Sequence, residues 1–307
     1  MDRLELIEVA GNSYVVSGKY GIGVYLDRPS KIAVFIDSGP NATVIEEVCT
    51  KISNRGYQIF AVVHTHGHAV NHGGNLYLKK RFPNIRIYAT HLASYLIENP
   101  HLEPLVFDAG GGPDTTPDQN KENVRALVTD YLPSIDGIFH VHTIPFKIVS
   151  LPGHSPGMVG IVTPDHVLYC GDALFGPKTL NKQNLLFFND LRAARRSFKK
   201  LSMMKLNAYV LYHGGAFKTV TGLINKHLTL MKDTSAFLEA LIQEQPSTLE
   251  QVVQKVMKKY EFEDDLHRYG LTASIIRSYL KELQHENRIV AKVDNGLLLF
   301  SKPAATT

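Results

Sequence analysis

The sequence predicts a layered α/β protein with a smaller unit at its carboxyl end, on three observations. Short apolar runs alternate with amphipathic stretches through the first two-thirds of the chain. At 307 residues and 44% apolar, there is more material than a single core ordinarily uses. After about Met231 the pattern changes to helix, helix, helix, hairpin.

The first forty residues read as strands at Leu4–Val9, Ser13–Ser17, Gly23–Asp27 and Ile32–Asp37. The cluster Asp37-Ser38-Gly39-Pro40-Asn41 closes the last strand and opens a helix over Ala42–Arg55. The apolar run within Gln58–Val63 reads as a buried strand. It leads into Thr65-His66-Gly67-His68-Ala69-Val70-Asn71-His72-Gly73-Gly74-Asn75, and a helix is expected through Leu76–Phe82. A strand at Ile85–Ala89 and a helix at His91–Glu98 follow. From Asn99 to Asp118, prolines and Gly110-Gly111-Gly112-Pro113 remove any periodicity. A loop that long in a compact domain is usually functional or disordered, and a lid over substrate is the preferred reading. Strand signals resume at Phe146–Leu151, Met158–Thr163, Val167–Cys170 and Tyr209–Tyr212, with a helix over Leu191–Leu201.

The carboxyl-terminal unit begins with an amphipathic helix at Ser235–Gln243. Ser247-Thr248-Leu249-Glu250 is a capping-box pattern that opens a second helix through Tyr260. A third helix is expected from about Ser274 to His285, and Asp294-Asn295-Gly296 turns a hairpin between Arg288–Val293 and Leu297–Ser301.

Composition narrows the function classes. Two isolated cysteines, Cys49 and Cys170, cannot make a disulfide framework or a thiolate zinc site, which suits a reducing compartment and a cytoplasmic location. No apolar run approaches the ~18 residues that span a bilayer, so no membrane insertion is expected. The net charge of +4 is uneven: residues 231–307 hold 10 Lys+Arg and 11 Asp+Glu, leaving +5 for residues 1–230. The densest basic cluster, Arg192, Arg195, Arg196, Lys199 and Lys200, reads first as a solvated helix face and second as a surface for an anionic ligand or RNA. Arg277, Lys281, Arg288 and Lys292 stand where a DNA reader keeps its basic residues. They are interleaved with Glu282, Glu286 and Asp294, so nucleic-acid binding is disfavoured.

The chemistry concentrates at strand ends. His66 and His68 lie two apart, and their imidazoles converge on one cation if the loop bends at Gly67. His154 follows Leu151-Pro152-Gly153, Asp172 follows Tyr169-Cys170-Gly171, and His213 follows Tyr212 and precedes Gly214-Gly215. Such residues at the carboxyl ends of buried strands, next to glycine, are placed to point into one crevice.

Taken together, Thr65-His66-Gly67-His68, Gly153-His154-Ser155-Pro156-Gly157, Gly171-Asp172-Ala173-Leu174-Phe175 and His213-Gly214 resemble the ordered motifs of the metallo-β-lactamase fold hydrolases, in particular glyoxalase II-like members. The resemblance implies an αββα sandwich over residues 1–230, its metal site at one edge, and a winged-helix domain over residues 231–307. It implies that His66, His68 and His154 hold a first metal, that Asp172 bridges two metals and that His213 binds the second. Asp172 and His213 are then also the catalytic residues. The family motif Thr-His-x-His-x-Asp-His-x-Gly-Gly is broken in this chain, where Val70 stands at the Asp position and Asn71 at the His position.

Three neutral imidazoles with a carboxylate or a water still make a competent tetrahedral zinc site. The expectation is therefore one firm Zn²⁺ site and a second that is weak or empty, with Fe or Mn as alternatives. The leading function is a metal-dependent hydrolase acting on a small molecule through a metal-bound hydroxide, with a thioester or related acyl substrate ahead of a phosphodiester. The rivals are a mononuclear iron enzyme akin to persulfide dioxygenases, built on His66, His154 and Asp172, and a decayed site kept for binding or regulation. Around the site, Asp37 is expected to brace a ligand imidazole and His64 to be structural. His72 is expected to face the loop backbone rather than the metal position, Tyr212 to be a core aromatic rather than a proton donor, and Ser155 to cap the turn at Pro156. The carboxyl-terminal unit is assigned a packing or site-covering role, or dimerisation into a homodimer.

Overall fold

The computed structural model describes residues 4–100, 102–103, 126–182 and 185–304. Most of the expected Asn99–Asp118 lid lies outside these residues. Two sheets carry the fold. The first contains β1 (Leu6–Ala10), β2 (Ser13–Val16), β3 (Gly23–Asp27), β4 (Ile32–Ile36), β5 (Gln58–Val63), β6 (Arg86–Thr90) and β7 (Asp130–Leu132) in sequential order. Pairing is antiparallel from β1 to β4 and parallel from β4 to β7. The second contains β8 (Gly137–Val141), β9 (Ile144–Ser150), β10 (Val159–Val162), β11 (Val167–Tyr169), β12 (Ala208–Leu211) and β13 (Gly215–Phe217), with β11 and β12 parallel and the other neighbours antiparallel.

Side-chain alternation explains the layering, because successive residues of a strand face opposite sides. In β4, Ile32, Val34 and Ile36 face the second sheet, where Phe146, Ile148, Ile161, Val167 and Val210 meet them. Ala33 and Phe35 face the other way, onto Ile45, Val48, Cys49 and Ile52 of α1 (Ala42–Ser53). The second sheet does the same: Val167 and Tyr169 point inward, while Leu168 joins an outer core with Phe198 and Leu201 of α6 (Leu191–Met203). Helix, sheet, sheet, helix is the expected αββα sandwich. The remaining sandwich helices are α2 (Ala69–His72), α3 (Asn75–Arg81), α4 (His91–Glu98) and α5 (Pro177–Lys182).

The carboxyl-terminal part is α7 (Thr221–Glu244), α8 (Leu249–Lys259), α9 (Leu266–His285) and the hairpin β14 (Val290–Asp294) and β15 (Leu297–Ser301). Helix, helix, helix, hairpin is the order expected, with three differences in detail. The first helix begins at Thr221, not Ser235. The third begins at Leu266, where Asp265 caps it through the Arg268 amide, rather than near Ser274. The capping box closes one residue later than expected: Thr248 is the cap and Gln251 reaches back to it. Ser247 instead pairs with Phe300, each amide donating to the other's carbonyl at 3.0 and 2.9 Å, which ties the hairpin to the α7–α8 connection. Among the described residues no helix is long and apolar enough to cross a membrane.

The sandwich layering fixes where the site lies. The segments that follow β4, β5, β9, β11 and β12 leave the sheets at one edge, where the Val159 amide donates to the Thr65 carbonyl (2.9 Å) and the Gly21 amide to the Tyr212 carbonyl (2.6 Å), joining the two sheets.

Candidate metal centre

Each candidate ligand sits just past a strand. His66 and His68 follow β5, His154 follows β9, Asp172 follows β11 and His213 follows β12. The backbone geometry depends on glycine at two of these turns. Gly171 has φ +54°, and a Cβ there would lie 2.6 Å from the Thr65 hydroxyl. Gly153 has φ +140°, and a Cβ would lie 2.6 Å from the backbone of Ala194. Only glycine lets Asp172 and His154 approach the His66 loop and α6 this closely.

His66, His68, His154 and Asp172, all buried, bring one ligand atom each to within 4.8 Å of one another. His154 Nε2 lies 3.1 Å from His68 Nδ1 and 3.5 Å from Asp172 Oδ2, and His66 Nε2 lies 3.8 Å from Asp172 Oδ2. Ligands about 2.0–2.1 Å from a tetrahedral zinc stand roughly 3.3 Å apart, so these separations fit a divalent ion with little adjustment.

The tautomers fit as well. The Thr65 hydroxyl donates to Asp37 Oδ2 (2.8 Å) and so accepts from His66 Nδ1 (3.0 Å), which leaves the His66 Nε2 lone pair facing the cluster, buried and without a hydrogen-bond partner among the described residues. His154 Nδ1 donates to the Phe187 carbonyl at 2.9 Å, leaving its Nε2 free to ligate. Burial, reinforced by the neighbouring imidazoles, pushes His66 and His68 well below the ordinary histidine range. Burial also lowers His154, against the opposing charge of Asp172. All three imidazoles are therefore in the neutral form that a metal requires.

His213 stands beside this cluster rather than in it. Its Nδ1 lies 2.8 Å from Asp172 Oδ1, and its side chain is 25% exposed where the carboxylate is 3%. Burial pulls His213 down, but the charge and hydrogen bond of Asp172 outweigh it and leave the group raised. Asp172 thus turns one oxygen to the three imidazoles and the other to His213.

The two substituted positions supply neither a carboxylate nor an imidazole. The Asn71 amide donates to Asp37 Oδ2 (3.2 Å), and Val70 is 36% exposed. Tyr212 is buried, and its hydroxyl donates to the Val70 carbonyl, so it is a core aromatic with its proton already committed. Asp37 has φ +60°, uncommon for a residue with a side chain, and accepts from the Thr65 amide (3.0 Å), the Thr65 hydroxyl and Asn71. It braces His66, as expected, through Thr65 rather than by touching the imidazole.

His64 is structural, bonded to Asn75 at 2.9 Å. His72 is fully buried against His64, and burial takes it down to about 3, so it stays neutral and lies outside the cluster. Ser155 is the exception among the supporting residues: its buried hydroxyl has no hydrogen-bond partner among the described residues, and the turn is closed instead by its carbonyl accepting from Met158 at 3.3 Å. Thr65 sits inside the histidine motif, yet spacing alone assigns it no role. No signal in the sequence points to Phe187, whose contribution is a main-chain carbonyl.

Comparison with known proteins agrees with this geometry. The family model for the metallo-beta-lactamase superfamily matches residues 23–213. A hydroxyacylglutathione hydrolase from Thiobacillus denitrificans is 27% identical over 153 residues, which is 50% of this chain and 46% of that protein. The chain thus matches about half the length of that relative. Among solved structures, a beta-lactamase domain protein from Burkholderia ambifaria superposes with a TM-score of 0.75 at 16% identity, covering 97% of this chain and 94% of that one. A metallo-beta-lactamase family protein from Thermus thermophilus gives 0.69 at 15% identity, covering 98% and 99%. At these identities the structural likeness speaks for the fold, and it extends through the carboxyl-terminal helices.

Proposed function

The chain belongs to the metallo-beta-lactamase superfamily, and from that footing we propose that it is a metal-dependent hydrolase of thioesters or related acyl compounds. The observation that carries the reading is the convergence of His66, His68, His154 and Asp172 within 4.8 Å. The activity named for the Thiobacillus relative, hydrolysis of a hydroxyacylglutathione, supports a thioester as the substrate class. A divalent metal held by these four residues would supply Lewis acidity toward the acyl oxygen and an activated water.

The chain's own groups supply the rest. Val70 cannot accept a hydrogen bond from water through its side chain, so orientation of the attacking water falls to Asp172. His213, hydrogen-bonded to Asp172 and partly open to solvent, is placed to take up and release the proton. The Tyr212 hydroxyl is committed to the Val70 carbonyl and contributes no proton. We read the three carboxyl-terminal helices and hairpin as a winged helix that packs on the catalytic unit or mediates a homodimer, and the protein as cytoplasmic, with Cys49 and Cys170 as buried free thiols.

The test pairs elemental analysis of protein purified without added metal with thiol release from an acyl-glutathione thioester. The expected result is about one metal per chain and metal-dependent release, with both lost on Asp172→Asn; affinity for the metal should fall at least about 100-fold. One equivalent of iron with oxygen uptake on glutathione persulfide would replace this reading with a dioxygenase. Absence of both metal and turnover in the purified protein, restored by Val70→Asp with Asn71→His, would replace it with a decayed site.

A further inference from the structure

A second cluster of charge lies away from the metal centre, in a groove between α6 and α9. Arg192 and Arg196 stand one turn apart on α6, Lys281 and His285 one turn apart on α9, and all four line the groove, whose volume is about 240 Å³. The carboxylates in its wall are already committed. Glu282, 4% exposed, receives both nitrogens of Arg195, Nε at 3.1 Å and Nη2 at 3.2 Å. Asp190 caps α6 by accepting from the Ala193 amide at 2.8 Å.

Nearby, Lys200 pairs with Asp136, and Arg288 with Glu239 and Glu286, while Lys199 and Arg277, outside the groove, make no ion pair among the described residues. Arg192, Arg196 and Lys281 make no ion pair among the described residues. Like charges one turn apart on a helix repel, as Arg192 and Arg196 do, and Lys281 of α9 brings a third to the same groove. That arrangement leaves a local positive potential that no ion pair among the described residues answers, with Asp190 as the one carboxylate of the wall outside an ion pair.

We infer that this groove binds a small phosphate-bearing anion through Arg192, Arg196 and Lys281. Guanidinium forks match the oxygens of phosphate, and a lysine adds a mobile point charge on the opposite wall. A nucleic acid fits less well: it needs an extended cationic surface, whereas Asp190 and Glu282 also line this groove and residues 231–307 are net −1. The groove also borders the metal centre's supports. Ser278 donates to the Asn189 carbonyl (3.2 Å), the next amide, Asp190, donates to the Gly153 carbonyl (3.0 Å), and the Phe187 carbonyl holds His154. An occupant of the groove would touch the segment that fixes His154.

The site is tested on the full chain as purified, by calorimetric titration with inorganic phosphate and with pyrophosphate at low ionic strength. One saturable site per chain is expected, tighter for pyrophosphate. Arg196→Gln with Lys281→Gln should weaken binding at least about tenfold, while Lys281→Arg retains it and Asp172→Asn leaves it unchanged. Neither Arg196 nor Lys281 makes an ion pair among the described residues, so the double variant should keep the wild-type thermal midpoint. The inference is overturned if no saturable binding occurs, if the groove variant binds as well as wild type, or if Asp172→Asn abolishes binding, which would place the anion at the metal centre. Tighter binding of a short single-stranded RNA, lost in the same groove variant, would overturn it in favour of a nucleic-acid surface.

Discussion

Asp172 serves two neighbours, with one oxygen toward three neutral imidazoles and the other bonded to His213. Val70 and Asn71 supply neither a carboxylate nor an imidazole on this side: the Asn71 amide nitrogen is drawn to Asp37, and the Val70 side chain offers no ligand atom. Restoring both groups with Val70→Asp and Asn71→His should therefore raise bound metal from about one to about two per chain, read by elemental analysis after dialysis. A variant that still holds one would mean that His213 cannot swing from Asp172 to a second ion. A different histidine governs acid stability. His227 is buried, with Nδ1 donating to the Leu223 carbonyl and Nε2 accepting from the Phe175 amide, and burial holds it down at about 4. The unfolded chain takes up this proton near pH 6.5 while the folded chain resists until about 4. Stability is therefore full above 6.5 and falls as pH drops through that window, by about 3 kcal/mol in all. His227→Gln keeps an acceptor and a donor but does not titrate. Its denaturant midpoint should fall less than the wild-type midpoint between pH 6.5 and 4.

Between elements, the Arg195–Glu282 pair is the polar tie that joins α6 to α9. Glu282 is almost fully buried while Arg195 is about a third exposed, so the tie is neither a surface pair nor a sealed one. Arg195→Ala strands a buried carboxylate and should cost about 2 kcal/mol in urea denaturation, below the cost of breaking a fully buried pair. Glu282→Gln, which keeps the acceptor, should cost less. Most elements of the sandwich are legible in the sequence because their signals are local. The strand β4 announces itself as an apolar run, and α1 by Asn41 and the spacing of Ile45, Val48, Cys49 and Ile52. The elements that the sequence conceals are short or half-exposed. β8 shows no apolar face strong enough to read, and α2 is four residues inside the histidine loop. The cap of α8 is ambiguous by one residue because Ser247-x-x-Glu250 and Thr248-x-x-Gln251 are equally good boxes. Only the pairing of Ser247 with Phe300 decides between them. The ligands are legible as residues next to glycines at strand ends. That His213 bonds Asp172 rather than joining the cluster depends on side-chain direction, which spacing does not encode.

Across the whole molecule, the carboxyl-terminal helices are continuous with the sandwich. Ile242, Val252, Val256, Ile276, Tyr279 and Leu283 share one buried core with Phe188, Leu191, Phe198 and Leu201, on the outer face of the second sheet. Helix α7 itself runs from Thr221 to Glu244 without a break, so residue 230 lies within a helix rather than in a linker. Independent domains ordinarily meet through a smaller, more polar interface joined by exposed chain. The shared core instead predicts one cooperative transition, with fluorescence from the tyrosines and far-ultraviolet dichroism tracing the same denaturant midpoint. Truncation after residue 230 would uncover Phe198 and Leu201, together with the buried face of α7, and should yield a chain that aggregates or binds a hydrophobic dye. Two separated transitions, or a truncated chain that stays monomeric and holds its metal, would mean that the sandwich is stable alone. The carboxyl-terminal helices would then contribute to function at the α6–α9 groove rather than to folding.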